Sequence, residues 1–157
     1  GGVRVGHDGG NLYLLFRCLD RHAGDGPAEG ADPPLSASQL DFFLSPQPQS
    51  GVYYQFLIGR DGSRLFQRCR GQRWDSSYSP RIEVAIQPDR EGWWARIRIP
   101  AQAVEEARVP QPGEWRAGFN VKERWGRGQR IGGWPKGSAF HDVSAFGPIE
   151  FGPPNTG

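Results

Sequence analysis

Apolar side chains recurring at every second position along two runs most restrict what this chain can fold into, because a period of two fits a half-buried strand and no helix. In residues 11–19 (NLYLLFRCL), Leu12, Leu14, Phe16 and Cys18 fall on one face and Tyr13, Leu15 and Arg17 on the other. Over residues 93–99, Trp93, Ala95, Ile97 and Ile99 share a face opposite Trp94, Arg96 and Arg98. Further strands are expected at residues 38–45 (SQLDFFLS), 51–59 (GVYYQFLIG), 63–69, 82–86, 115–124 (WRAGFNVKER) and 149–151. Turn signals separate them: the HDGG at 7–10 folds residues 3–5 back onto the first run, Asp61-Gly62 closes a hairpin, and residues 88–92 close another.

Strands with short turns between them, and no internal repeat, predict an all-β fold: a two-sheet antiparallel β-sandwich of about nine strands. The 23 glycines and 14 prolines agree with that turn-rich design, and six Trp, nine Phe and four Tyr allow an aromatic core. One short helix is expected at residues 100–108 (PAQAVEEAR), the one stretch of good helix propensity. A length of 157 residues fits a single domain, 1–157, with an ordered core at about 3–151 and a frayed tail. Methionine is absent even at position 1, so the chain reads as an excised or processed module of a larger protein.

The net charge of +2 supplies no field to gather nucleic acid. Residues 67–74 (QRCRGQRW) and 122–130 (KERWGRGQR) do interleave basic and aromatic residues as single-strand binders do, but polar strand faces account for these arginines more simply. No apolar run approaches the roughly 18–20 residues that span a bilayer, so membrane insertion is not expected. Cys18 and Cys69 have neither CxxC nor zinc-ligand spacing and are read either as one structural disulfide or as two buried thiols. His7, His22 and His141 form no helical metal pair. No nucleophile elbow or phosphate loop occurs, and Glu105-Glu106 reads as a solvated helix face rather than an acid–base pair, so no catalytic residues are assigned.

The segments NLYLLFRCLD, SQLDFFLSP, GVYYQFLIGRDG, GWWARIRIPAQAV, EWRAGFNVKERW and FHDVSAFGPIEF, taken in order, resemble the family 9 carbohydrate-binding modules and their wider bacterial relatives. The likeness spans residues 10–151 and is most specific at Asp41-Phe42-Phe43-Leu44, residues 95–100 and Phe146-Gly147. The resemblance implies a DOMON-related β-sandwich that is non-catalytic and binds a poly- or oligosaccharide. It further implies an extracellular, periplasmic or cell-surface setting, with the module joined to a glycan-active enzyme or a surface domain. Family members clamp sugars between two Trp rings. This chain departs there, with Leu35 at the first clamp position and Phe140 and His141 near the second.

The ligand-binding candidates are therefore Trp134, Trp125 and Trp74 as aromatic platforms, His141 as an orienting group, and Asp41, Gln55 and Asn120 as polar partners. Trp93 and Trp115 are expected in the core, and Trp94 either as a platform or a packed lid. No cofactor is expected beyond a structural calcium in the loop carrying Asp20, Asp25, Glu29 and Asp32, which lacks EF-hand spacing. Two alternatives remain: a structural or protein-interaction sandwich that has lost the sugar site, and a haem-binding electron-transfer domain like some DOMON relatives. A purified sample without a Soret band would end the haem alternative.

Overall fold

The computed structural model describes residues 2–21, 38–106, 115–136 and 146–149. Eleven strands fill them: β1 Gly2–His7, β2 Asn11–Leu19, β3 Gln39–Ser45, β4 Val52–Gly59, β5 Arg64–Arg70, β6 Arg73–Asp75, β7 Glu83–Pro88, β8 Gly92–Pro100, β9 Trp115–Trp125, β10 Gly128–Trp134 and β11 Gly147–Ile149. They form a four-stranded sheet in the order β1-β2-β8-β7 and a seven-stranded sheet in the order β10-β9-β3-β4-β5-β6. β11 pairs with the start of β9, on residues Trp115 to Ala117, while β10 pairs with the rest. Every pairing is antiparallel, as the turn-rich sequence predicts.

The alternating runs become the two inner faces. Leu12, Leu14, Phe16 and Cys18 of β2 and Trp93, Ala95, Ile97 and Ile99 of β8 pack against Leu40, Phe42, Leu44, Tyr54, Phe56, Ile58, Trp115, Ala117 and Phe119 of the larger sheet. Phe42 stacks on Phe56 at 5.0 Å and lies 5.3 Å from Phe16, so aromatic rings bridge the two layers. Trp93 and Trp115 are buried here as expected. The Asp61-Gly62 hairpin forms, with Gly62 at a φ of 87° that a side chain would resist.

Three expectations need correction. The helix at 100–108 is a single 3₁₀ turn, Ala101–Val104; Glu105 takes a left-handed φ of 59° that ends it. Glu105 is exposed, as expected, and ion-paired with Arg68, whereas Glu106 is buried and accepts from Gln47 Nε2 at 3.2 Å, so the solvated reading fails for Glu106. The strand count rises from about nine because β6 and β10, expected as loops or strand ends, are paired edge strands. The cysteine alternatives resolve in favour of two buried thiols. Cys18 lies between the sheets and Cys69 in a separate cluster on the opposite face of the large sheet, with burial pushing them up to about 12 and about 11.

Candidate functional site

Residues two apart on a strand share a face, and so do direct cross-strand partners. On the face of the seven-stranded sheet turned away from the smaller sheet, this places Gln39, Asp41 and Phe43 of β3, Tyr53 and Gln55 of β4, and Asn120, Lys122 and Arg124 of β9. One end of this face is aromatic: Phe43, Tyr53, Cys69 and Phe146 form a closed cluster, with Phe43 and Phe146 stacked at 5.2 Å. The other end is polar.

At the polar end, Gln55 Nε2 donates to Asp41 Oδ1 at 2.9 Å, and Lys122 Nζ lies 3.7 Å from Asp41 Oδ2. Asn120 Nδ2 donates to the Asp41 carbonyl at 3.3 Å. A side chain at Gly133, opposite Asn120, would collide with the Asn120 amide, so this glycine leaves the room that Asn120 occupies. Asp41 is 2% exposed, and burial raises its pKa above the ordinary carboxylate value against the opposing pull of Gln55 and Lys122. Beside this group, Gln39 is 0% exposed, and neither its amide nitrogen nor its oxygen has a hydrogen-bond partner among the described residues. Arg124 Nε, on the same face, is buried in the same state. Such orphaned groups cost about 1–3 kcal/mol each.

Three of the sequence candidates, Asp41, Gln55 and Asn120, thus come together in one polar cluster. Trp74 lies opposite Cys69 on the same face, half exposed at 50%. Strand spacing and rise put it about 12 Å from Gln55. Trp134 and Trp125 do not join them. Their cross-strand partners, Phe119 and Gly128, place both on the inner side of the β9–β10 hairpin. Trp125 covers Gly128, and Trp134 covers Gly147 while keeping 44% of its surface exposed. Trp94 lies on the outer face of the small sheet, 38% exposed, with Arg17 over its ring at 5.2 Å and its Nε1 donating to Asp89 at 3.0 Å.

His141, with Leu35 and Phe140, lies outside the described residues, as do Asp25, Glu29 and Asp32 of the calcium expectation and His22. Asp20, the remaining member of that acidic set, commits Oδ2 to Arg60 at 3.0 Å. No group of three or more His, Cys, Asp or Glu converges as a metal site among the described residues. Of the three histidines only His7 is described, on edge strand β1, so the described residues supply no pair of histidines for a haem. Gln39 and Lys122 were missed by sequence reasoning. Their signal was present, since each stands two residues from a chosen candidate, Asp41 and Asn120, and so shares its face.

Two antiparallel sheets stacked face to face define a β-sandwich. The chain matches no family model and no curated protein. It shares its fold with a "putative carbohydrate-binding protein" from Bacteroides uniformis ATCC 8492, at a TM-score of 0.68 and 16% identity over 93% of this chain and 75% of that one. It also shares it with a family 9 carbohydrate-binding module from Caldicellulosiruptor kristjanssonii in complex with glucose, at a TM-score of 0.67 and 14% identity over 99% and 78%. What these two structures share with the chain is the β-sandwich fold.

Proposed function

We propose that this chain is a non-catalytic module that binds a poly- or oligosaccharide on the outer face of its seven-stranded sheet. Asp41, Gln55, Asn120, Lys122 and Gln39 supply donors and acceptors for sugar hydroxyls, and Trp74 is the aromatic platform on that face. The observation that carries the reading is the polar cluster: Asp41, Gln55 and Asn120 meet on one face of the large sheet, beside Gln39, a buried carboxamide with no hydrogen-bond partner among the described residues. The glucose-bound family 9 neighbour of the same fold supports it. An extracellular, periplasmic or surface setting, with the module joined to a glycan-active enzyme or surface domain, belongs to the same proposal and rests on the resemblance.

The test is retention on affinity gels of soluble glycans, with Gln39→Leu as the diagnostic variant. Removing the orphaned amide is expected to stabilise the fold by about 1–3 kcal/mol, seen as a higher urea midpoint, while glycan affinity falls at least about ten-fold. Failure of the native chain to bind any glycan would overturn the reading. One observation favours the alternative of a structural or interaction domain. β3 is buried along its whole length and β4 nearly so, on both faces. Under that alternative Gln39→Leu stabilises the protein and there is no glycan retention to lose.

A further inference from the structure

The seven-stranded sheet overhangs the four-stranded one where β9 and β10 pass the edge formed by β1 and β2, and a cleft of about 330 Å³ opens between them. Its walls are mainly apolar: Val3, Phe16 and Leu19 on one side, Phe119, Val121 and Trp134 on the other. That size and lining fall within the range of small-molecule sites. The Trp134 ring leans against Phe119 at 5.9 Å and covers Gly147, so it is held in place while nearly half its surface stays open.

The glycines identify which part of this space is kept free. On the inner side of β10 and β11 stand Gly128, Gly132 and Gly147. A side chain at Gly128 would strike the Trp125 ring, and one at Gly147 the Trp134 ring, so packing accounts for both. At Gly132 a Cβ would meet nothing within 4 Å, and its φ is one that other residues adopt. Glycine weakens a strand interior, and a ligand approaching the backbone is one of the reasons it persists there.

The charge of the cleft selects among ligands. Arg21 and Arg130 line it, both exposed, and no ion pair holds either guanidinium among the described residues. The third charged lining residue, Glu123, is buried and its Oε1 accepts the Arg21 backbone N–H at 2.8 Å. Among the described residues, two arginines against one occupied carboxylate leave an excess positive charge beside aromatic walls.

We propose that this cleft is a second binding site, separate from the outer-face sugar site, and that its ligand is a small aryl carboxylate. The aromatic ring packs between Trp134 and the apolar walls over Gly132, and the carboxylate is held by Arg130 and Arg21.

Calorimetric titration with 2-naphthoate and with its neutral isostere 2-naphthamide tests this directly. The native chain is expected to bind the carboxylate about ten-fold more tightly than the amide. Arg130→Gln, a change at an exposed side chain, is expected to bring the carboxylate down towards the amide's affinity and to leave the amide unchanged. Gly132→Ile fills the cleft and is expected to abolish binding of both while the far-UV circular dichroism stays native. Gln39→Leu on the opposite face should leave naphthoate binding intact. Absence of naphthoate binding, equal affinity for acid and amide, or native-like binding by a folded Gly132→Ile chain would each overturn the proposal, the first also being the result if a segment of the chain itself fills the cleft.

Discussion

Truncating Phe42 to alanine is expected to lower the unfolding free energy by about 3–5 kcal/mol, a large share of the roughly 5–15 kcal/mol that holds a domain of this kind together. Phe42 is fully buried in a central strand of the large sheet and touches rings from both layers: Phe56 at 5.0 Å, Phe16 at 5.3 Å and Phe119 at 6.2 Å. Phe16 belongs to the smaller sheet, so the lost ring is one that joins the layers rather than one that fills a single sheet. The cavity left cannot close without bringing the sheets together against Trp93 and Trp115, which are already packed. Urea denaturation followed by tryptophan fluorescence reads the change as a fall in midpoint at constant slope. Phe42→Leu, closer in volume, should recover most of the loss. A cost below about 1 kcal/mol for the alanine variant would show that the sandwich does not depend on this ring stack.

The strands legible in the sequence are those with one clear apolar face. β2 and β8 carry apolar residues at every second position, and the sets Leu12, Leu14, Phe16, Cys18 and Trp93, Ala95, Ile97, Ile99 are the inner face of the small sheet. β6 and β10 were not legible, for a physical reason: RWD is three residues of edge strand, and GQRIGGW carries three glycines and one aliphatic residue. Both are held by pairing to a neighbour rather than by a buried face of their own. β3 reads as a run, Leu40 through Leu44, in which even and odd positions are equally buried because the sheet is covered on both sides.

The site was legible as residues but not as a surface. Asp41 and Gln55 were identifiable from the resemblance, Asn120 stood among the candidates with them, and the register brings the three together. Which tryptophan joins them depends on the parity of each strand, where one residue decides the face. Trp125 and Asn120 stand five apart on β9, an odd separation, and therefore point to opposite sides. Counting along the sequence is enough to show that much. The face of Trp134 cannot be counted in the same way, because it depends on the register of a hairpin whose second strand has almost no hydrophobic pattern.

Replacing Asp41 by alanine is expected to cost about as much as losing the core ring, about 3–5 kcal/mol, by a different route. The carboxylate is the acceptor for Gln55 and the counter-charge of Lys122, whose side chain is 12% exposed. Deleting it removes that counter-charge from a largely buried ammonium. If the cost arises in this way, Asp41→Leu combined with Lys122→Met should restore much of the stability and still fail to bind glycan, because polar contacts have been exchanged for apolar packing. Acidity separates the two roles further. Burial holds the Asp41 pKa above its ordinary value, so between that value and the raised one the folded state carries a proton that the unfolded state has released. Stability from this group is therefore fully present below the unfolded-state pKa and is lost as pH rises through the raised one. Glycan binding runs the other way, since the ionised carboxylate is the stronger acceptor, and it should weaken as pH falls through the same raised value. Urea midpoints and glycan retention measured across that interval should move in opposite directions in the native chain. In Asp41→Asn the fall in stability across it should vanish, and glycan retention, already weakened, should no longer change there. Parallel changes in both quantities in the native chain would remove Asp41 from the proposed site.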